Sequence, residues 1–466
     1  MRAAAAILVC LLAVLSGISP ARAESLQSLE TFPAETVADR FVSNPRSVKD
    51  IGDPFVLEED GTYYVFATGG PIGFNVWKST DLATFEKSKA LQKVSWASGD
   101  YWAPEVFHIG DRYVMLFTAR ARETQSLRTG IAFAEKPEGP YTDPLGHPLM
   151  ELGYATIDAT LCFDTDGQPY LIYVRDCSEN EIGSLHVSQI YGAPLAPDLL
   201  SLAGDPVLLT TPEGSWETRS GDWQWNEGPA VVFHDGRYYL YYSVNAYWMS
   251  EYSVDVAVSD HVLGPYEKQD PCPLLGPVYE NGTLTVSGPG HNSFVTIGDE
   301  LFTAYHTHTY LQNPSGNRQL CLDRAGFHAD GTAFLSGPTL APQLRPLKEL
   351  GLVSHLPLAA CTGDPDRKLS DGDLCIADPA YGLQDPDTAW TFDAPVTADM
   401  ILIHPLPGES FSGRIILNDT WCLDISVEAS STPGAGLILP FEAREITSLR
   451  LSGTGGLAEV MLIGTP

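Results

Sequence analysis

Basic residues are scarce in this chain: 27 Lys and Arg stand against 59 Asp and Glu, a formal charge of −32. Nucleic acids and anionic membranes are held by a basic face, so this balance disfavours both as partners and points to a solvated acidic surface. Long apolar runs are also missing. No stretch beyond the N-terminus reaches the ~20 residues that a spanning helix needs, so no membrane insertion is expected. Cysteines are few, eight in 466 residues, with no Cys-x-x-Cys pair and no zinc-ligand spacing. Amphipathic helical stretches of about 10–15 residues do not alternate with the strand-like segments, which counts against an α/β barrel.

The N-terminus carries Met1-Arg2, an apolar run from Ala3 to Leu15 and the small-x-small triplet Ala21-Arg22-Ala23. This pattern reads as a signal peptide over residues 1–23, and hence a secreted or periplasmic protein. A membrane anchor is the rival reading, but the run is short for one. Cys10 follows Val9 rather than a small residue, which argues against a lipoprotein signal. Cleavage leaves seven cysteines, an odd number. Export permits disulfides, and Cys162 with Cys177 or Cys361 with Cys375 are candidate pairs.

What the chain has in abundance is one hairpin, written five times. The clearest copy runs from Trp225 to Ser243: Asn226-Glu227-Gly228-Pro229, an apolar run to Phe233, the turn His234-Asp235-Gly236-Arg237, then the alternating Tyr238-Tyr239-Leu240-Tyr241-Tyr242. Asp-Gly supplies the positive φ of a tight hairpin turn, and Tyr and Val suit a pleated, half-buried surface. Related copies begin at Gly52-Asp53-Pro54, Trp102-Ala103-Pro104-Glu105, Ile157-Asp158-Ala159 and Gly290-His291-Asn292-Ser293. Their turn glycines fall at 61, 110, 167, 236 and 298. A four-stranded repeat of that size cannot bury both faces alone, whereas copies stacked around an axis can. The expected fold is therefore all-β: a five-bladed β-propeller over 24–345, then a smaller C-terminal β-sandwich over 350–466. The second domain is either structural or carbohydrate-binding. Tyr63, Trp77 and Tyr239 alternate within strands and are expected in the core.

The innermost strands of a propeller converge, so the heads of the repeats bring Asp53, Glu105, Asp158, Glu227 and His291 towards one mouth. Any one carboxylate alone reads as a turn residue capping backbone N–H groups. Three at equivalent places in three repeats do not, because like charges raise one another's pKa. Two carboxyl groups flanking a glycosidic bond are the minimum machinery for its hydrolysis. One protonates the leaving oxygen while the other activates water or attacks carbon, and a third acid can tune the donor.

The ordered set Gly52-Asp53-Pro54, Trp102-Ala103-Pro104-Glu105, Ile157-Asp158-Ala159, Glu227-Gly228-Pro229 and Gly290-His291-Asn292-Ser293 resembles glycoside hydrolase family 43. That resemblance implies a five-bladed propeller and an inverting enzyme that removes α-L-arabinofuranosyl or β-D-xylosyl units from plant polysaccharides. It implies Asp53 as general base, Asp158 as modulator of pKa and orientation, and Glu227 as general acid. It further implies Arg324 reaching the sugar, and a structural calcium in the channel near His291, with no cofactor required for the reaction. One histidine without an acidic cluster is a thin ligand set for a hard cation, and a hydrogen-bonded channel histidine is the alternative. Among residues near the heads, Trp102, Trp225, Tyr247 and Trp248 are candidates to stack on sugar faces, Phe74 to wall the pocket and Glu105 to bind substrate. His306 and His308 lie two apart and project to one side of their strand. They read as hydrogen-bonding groups near the channel, with a metal pair as the alternative.

Rival readings are separable. The related invertase and fructan-processing group carries Arg-Asp-Pro and Glu-Cys, whereas here Arg175-Asp176 precedes Cys177 and Glu227 precedes Gly228. A non-catalytic sugar-binding propeller would lack one of the three carboxylates. Galactofuranosidase, galactanase or endo-arabinanase activity on the same fold remains as an alternative within the class.

Overall fold

The computed structural model describes residues 26–48, 50–311 and 317–466, and the expected signal peptide lies outside them. Strands dominate and the helical segments are short, such as Gly214–Glu217 and Leu347–Leu350, so the fold is all-β.

Each repeat starts as an antiparallel hairpin. Phe55–Glu59 pairs with Thr62–Phe66, Ala97–Ile109 with Arg112–Ala121, and Thr156–Phe163 with Pro169–Arg175. Trp223–His234 pairs with Arg237–Val244 and Gly290–Ile297 with Glu300–His308. Asp60-Gly61 and Asp235-Gly236 both have positive φ at each residue, the geometry that matches the strand twist in two-residue turns. A third antiparallel strand extends every hairpin. The third and fourth repeats do not stay separate. The head strand of the fourth is prolonged at its start, and Leu185–Pro194 pairs with it in parallel at His186–Trp223 and Ser188–Trp225. That satisfies an otherwise open strand edge and merges the two repeats into a nine-stranded sheet.

The five head strands neighbour one another in sequence order, and the fifth lies against the first. Near that seam Phe41–Val42 pairs with Gln343–Leu344. Apolar clusters fill the spaces between successive sheets. Val114, Leu116 and Ile131 of the second meet Leu161, Leu171 and Tyr173 of the third, and Tyr239, Tyr241 and Val256 of the fourth meet Tyr305 and Cys321 of the fifth. Tyr63, Trp77 and Tyr239 are buried as expected. Fully burying an aliphatic side chain such as Leu116 or Val256 is worth roughly 1.5–3 kcal/mol.

After residue 350 an eight-stranded sheet takes over. Met400 to Ile403 pair with 437–440 on one side and 460–463 on the other, around a core with Trp390, Ile401 and Leu462. The N-terminal segment, which the sequence groups with the repeats over 24–345, joins this sheet. Gln27–Ser28 pairs in parallel with Trp421–Cys422, because Leu29 finds its apolar partners in that core. All seven described cysteines are free thiols, so neither candidate disulfide forms. Cys162 packs under the third and fourth sheets, while Cys177 packs beside Trp225 and Ala246.

Where the fifth sheet meets the segment after residue 350, His328 bridges two carboxylates. Its Nδ1 lies 2.9 Å from Asp371 and its Nε2 3.4 Å from Asp373, and its ring stacks on Tyr381 at 3.8 Å. Burial opposes a charge there, but hydrogen bonds to Asp371 and Asp373 outweigh it and push the imidazole up to about 9. The folded value lies above the ordinary 6.5. This contact therefore stabilises fully below pH ~6.5 and its contribution is lost as pH rises through ~9. The melting temperature should fall less steeply between pH 7 and 10 in His328→Gln than in the parent protein; equal slopes would show that the bridge carries no stability.

Candidate active site

One backbone device recurs at the head of every repeat. Asp53, Ala103, Asp158, Gly228 and His291 all have φ between 42° and 56°, the left-handed region. In the second to fifth sheets the ladder slips at this point, between Trp102 and Glu105, Ile157 and Thr160, Glu227 and Ala230, and Gly290 and Ser293. Such bulges bend a strand and re-aim its side chains. Left-handed backbone at a non-glycine residue costs of order 1–3 kcal/mol, so something must hold it.

What holds it comes from the preceding sheet. Thr68 Oγ1 accepts the Ala103 N–H at 3.0 Å, Thr118 Oγ1 that of Asp158 at 3.0 Å, and Ser243 Oγ that of His291 at 2.7 Å. His306 of the fifth sheet accepts the Asp53 N–H through Nδ1 at 3.2 Å. The third sheet has Val174 at the matching place, facing Ile157, and offers no acceptor. There the Gly228 N–H is taken instead by Asp158 Oδ2, at 3.2 Å.

These heads enclose a cavity of about 490 Å³ lined by Asp53, Asp158, Glu227, His291, Trp102, Trp225, Tyr247 and Trp248, with Thr68, Arg120, Asp176 and Arg318. Other cavities of similar size lie towards the C-terminal sheet, but none brings these three carboxylates together.

Asp53 is ionised. Burial alone would raise its pKa, but the Arg318 guanidinium, 2.6 Å from Oδ1, holds it well below the usual carboxylate range. His291 Nδ1 lies 3.2 Å from the same oxygen, and Thr68 donates its hydroxyl proton to Oδ2. His306 adds no charge: its Nδ1 accepts a backbone N–H, and burial drives its pKa well below 6.5. Gly52 makes room for the arginine, since a Cβ there would lie 1.8 Å from Arg318 Cζ.

Glu227 has the opposite environment. It is buried, and desolvation together with the charge of Asp158 raises its pKa well above 4.5. Tyr252 donates its hydroxyl to Oε1 at 2.8 Å, so the carboxyl proton belongs on the other oxygen. Asp158 is pushed up to about 6, by burial first and then by Asp53 and Asp176, against the pull of His291 and the Gly228 N–H. Gly228 suits its place twice over: φ is 55°, and a Cβ would sit 3.1 Å from the His291 ring.

Three expectations need correction. Phe74 does not wall the pocket; it is fully buried edge-on to Tyr101 and Phe117. Glu105 lies beyond the bulge of its strand and lines a separate opening with Phe55, Phe107 and Thr160. Its burial there pushes the carboxyl up to about 8. Arg324 does not reach the site, because Glu300 holds it at 2.7 Å and it donates to the Leu344 carbonyl. The set around His291 does not suit calcium, which takes about six to eight oxygen ligands. It offers one carboxylate already paired with Arg318, and imidazole nitrogens. Among the described residues no group of three His, Cys, Asp or Glu side chains is arranged to hold a metal.

The groups that sequence reasoning missed are Arg318, Tyr252, Asp176 and Thr68. Arg318 arrives through the pairing of Arg318–Phe327 with Glu300–His308, which sets it opposite His308. The one local hint was the glycine before Asp53. His306 and His308 are hydrogen-bonding residues rather than a metal pair: His308 Nε2 lies 2.7 Å from the Tyr247 carbonyl and Nδ1 2.8 Å from Ser287 Oγ.

Comparisons with known proteins agree with this chemistry. The sequence profile of glycosyl hydrolases family 43 matches residues 42–333. The chain is 28% identical over 323 residues to the beta-D-galactofuranosidase xynD of Aspergillus niger, covering 64% of this chain and 86% of that protein. It is 26% identical over 328 residues to an extracellular exo-alpha-(1->5)-L-arabinofuranosidase of Streptomyces avermitilis, covering 62% of each. A solved structure of a thermostable family-43 glycoside hydrolase superposes with a TM-score of 0.62 at 42% identity, over 65% of this chain and 98% of that one. With the match spanning all five head strands and every carboxylate of the cavity, this chain belongs to glycosyl hydrolases family 43 and is a glycoside hydrolase.

Proposed function

We propose that the protein is a secreted, inverting hydrolase that releases α-L-arabinofuranosyl or β-D-xylosyl units from plant-type polysaccharides. One observation carries the mechanism: in a single pocket Arg318 lies 2.6 Å from Asp53 while Glu227 is buried beside Asp158, an arrangement that drives the two carboxyl groups to opposite protonation states. Asp53, ionised beside Arg318, is the general base on water, and Glu227, kept protonated by burial and by Asp158, is the general acid on the leaving oxygen. Asp158 both sustains the Glu227 proton and ties down the peptide that follows it. A second reading, release of β-D-galactofuranosyl units, is favoured by the similarity to the Aspergillus niger enzyme.

The fold beneath this reading is a five-bladed β-propeller with a C-terminal β-sandwich. The cyclic order of the head strands supports the first, and the sheet after residue 350 with its own apolar core supports the second. Secretion rests on the signal-like residues 1–23.

Hydrolysis of 4-nitrophenyl α-L-arabinofuranoside, β-D-xyloside and β-D-galactofuranoside separates the readings. Turnover of none of them, nor of the corresponding oligosaccharides, would overturn all three. Proton NMR during early turnover should show the product with inverted anomeric configuration; a retained anomer rules out the base role of Asp53.

Replacing the acid should matter most where the leaving group is poor. Glu227→Gln is expected to lower kcat on arabino-oligosaccharides by about 10²–10⁴-fold, and less on a nitrophenyl glycoside. Equal losses on both would assign the proton donation elsewhere.

The pH profile carries a sign. A protonated Glu227 is required, so kcat/KM falls as pH rises through its elevated pKa. Asp158→Asn removes a negative charge that helps to raise that pKa, so the alkaline limb should move to lower pH. A limb that stays in place would show that Asp158 acts on the backbone alone.

A further inference from the structure

The head strand of the fourth repeat begins Trp223-Gln224-Trp225-Asn226-Glu227. Alternate residues of a strand share a face, so Trp223, Trp225 and Glu227 form one row. The row climbs out of the pocket: Glu227 is 8% exposed, Trp225 7% and Trp223 42%. The rings of Trp223 and Trp225 lie 6.3 Å apart at 24°. The parallel pairing of His186 with Trp223 brings the imidazole flat against the outer indole, at 3.9 Å and 6°. Trp248, 45% exposed, stands edge-on to Trp225 at 5.4 Å, and Tyr247, 38% exposed, edge-on to Trp248 at 5.1 Å.

A single exposed aromatic residue needs no explanation, but adjoining ones at a pocket rim form a patch. The occupant follows from the direction of the row. The acid delivers its proton to the oxygen of the leaving group, so the glycan beyond the cleaved bond starts at Glu227. That residue's own strand then runs outward beneath it. Trp225 lies beside the cavity; Trp223 lies beyond the residues that line it. The C–H faces of a sugar are flat and apolar and pack on an indole, whereas its hydroxyls stay in water.

We infer that Trp223, braced by His186, is an outer platform for the leaving-group side of a glycan chain, taking the second sugar beyond the cleaved bond. The enzyme is thereby matched to chains rather than to short glycosides. This rests on the reading of Glu227 as the acid. A platform of this kind contributes binding remote from the reacting atoms, which appears as chain-length dependence of kcat/KM.

The test compares the parent protein, Trp223→Ala and Trp223→Phe on 4-nitrophenyl furanosides and on arabino- and galactofuranosyl oligosaccharides of two to five units. For the parent, kcat/KM should rise from the disaccharide to the trisaccharide. Trp223→Ala should remove that rise, lowering the trisaccharide value about tenfold while the nitrophenyl value falls at least fivefold less, and Trp223→Phe should restore most of it. Equal losses on short and long substrates, or a parent with no chain-length dependence, overturn the platform. Should the parent hydrolyse neither series, the functional reading fails. Binding of the same oligosaccharides, followed by tryptophan fluorescence, then decides the platform separately. Weaker binding of trisaccharide by Trp223→Ala supports it, and unchanged binding overturns it.

Discussion

Hydrogen bonds between successive sheets are the constraint on which the site depends. A left-handed residue at the head of a strand is costly by itself, and all five are held by a side chain of the repeat before, four of them by a hydroxyl or an imidazole. The exception falls between the third and fourth sheets, where Val174 leaves the Gly228 N–H without a hydroxyl or imidazole acceptor. A carboxylate of the site, Asp158, takes that place. The same oxygen set therefore secures the backbone next to the proposed proton donor and supplies the charge that keeps its proton in place. Structure and catalysis share one interaction there.

Charge in the pocket is distributed unevenly, and that unevenness is the chemistry. Asp53, Asp158, Asp176 and Glu227 line one cavity in which a single guanidinium, Arg318, touches a carboxylate of the proposed trio, Asp53. Coulomb attraction at 2.6 Å decides Asp53 in favour of the ionised form. Among the described residues Glu227 meets a tyrosine hydroxyl and no cation, so desolvation and the neighbouring acid decide it the other way. Two glycines make the arrangement sterically feasible, Gly52 under the arginine and Gly228 beside His291.

Much of this is legible in the sequence. The Asp-Gly and Gly-Asp turns, the alternating Tyr and Val and the repeated heads predicted both the hairpins and the residues that meet. Asp53, Asp158, Glu227, His291, Trp102, Trp225 and Tyr247 do line one cavity. Phe74, Glu105 and Arg324 do not, each for a nameable reason. Phe74 lies among aromatic neighbours that burial favours. Glu105 is on the far side of a bulge that no sequence pattern reveals. Arg324 and Arg318 are six residues apart on one strand, and only the pairing register decides which reaches Asp53 and which meets Glu300.

Local rules acting over a few residues account for what the sequence determined by itself: an all-β chain, five hairpins and the polar groups Asp53, Asp158, Glu227 and His291 at four of their heads. Turn chemistry and side-chain alternation act at that range, so they can be read from a linear string. What tertiary structure alone decided is protonation and reach. Whether a carboxyl is an acid or a base here depends on a guanidinium 265 residues away from Asp53 and on a carboxylate 70 residues from the peptide it holds. Electrostatics and desolvation act through space, and the chain's order carries no direct record of them.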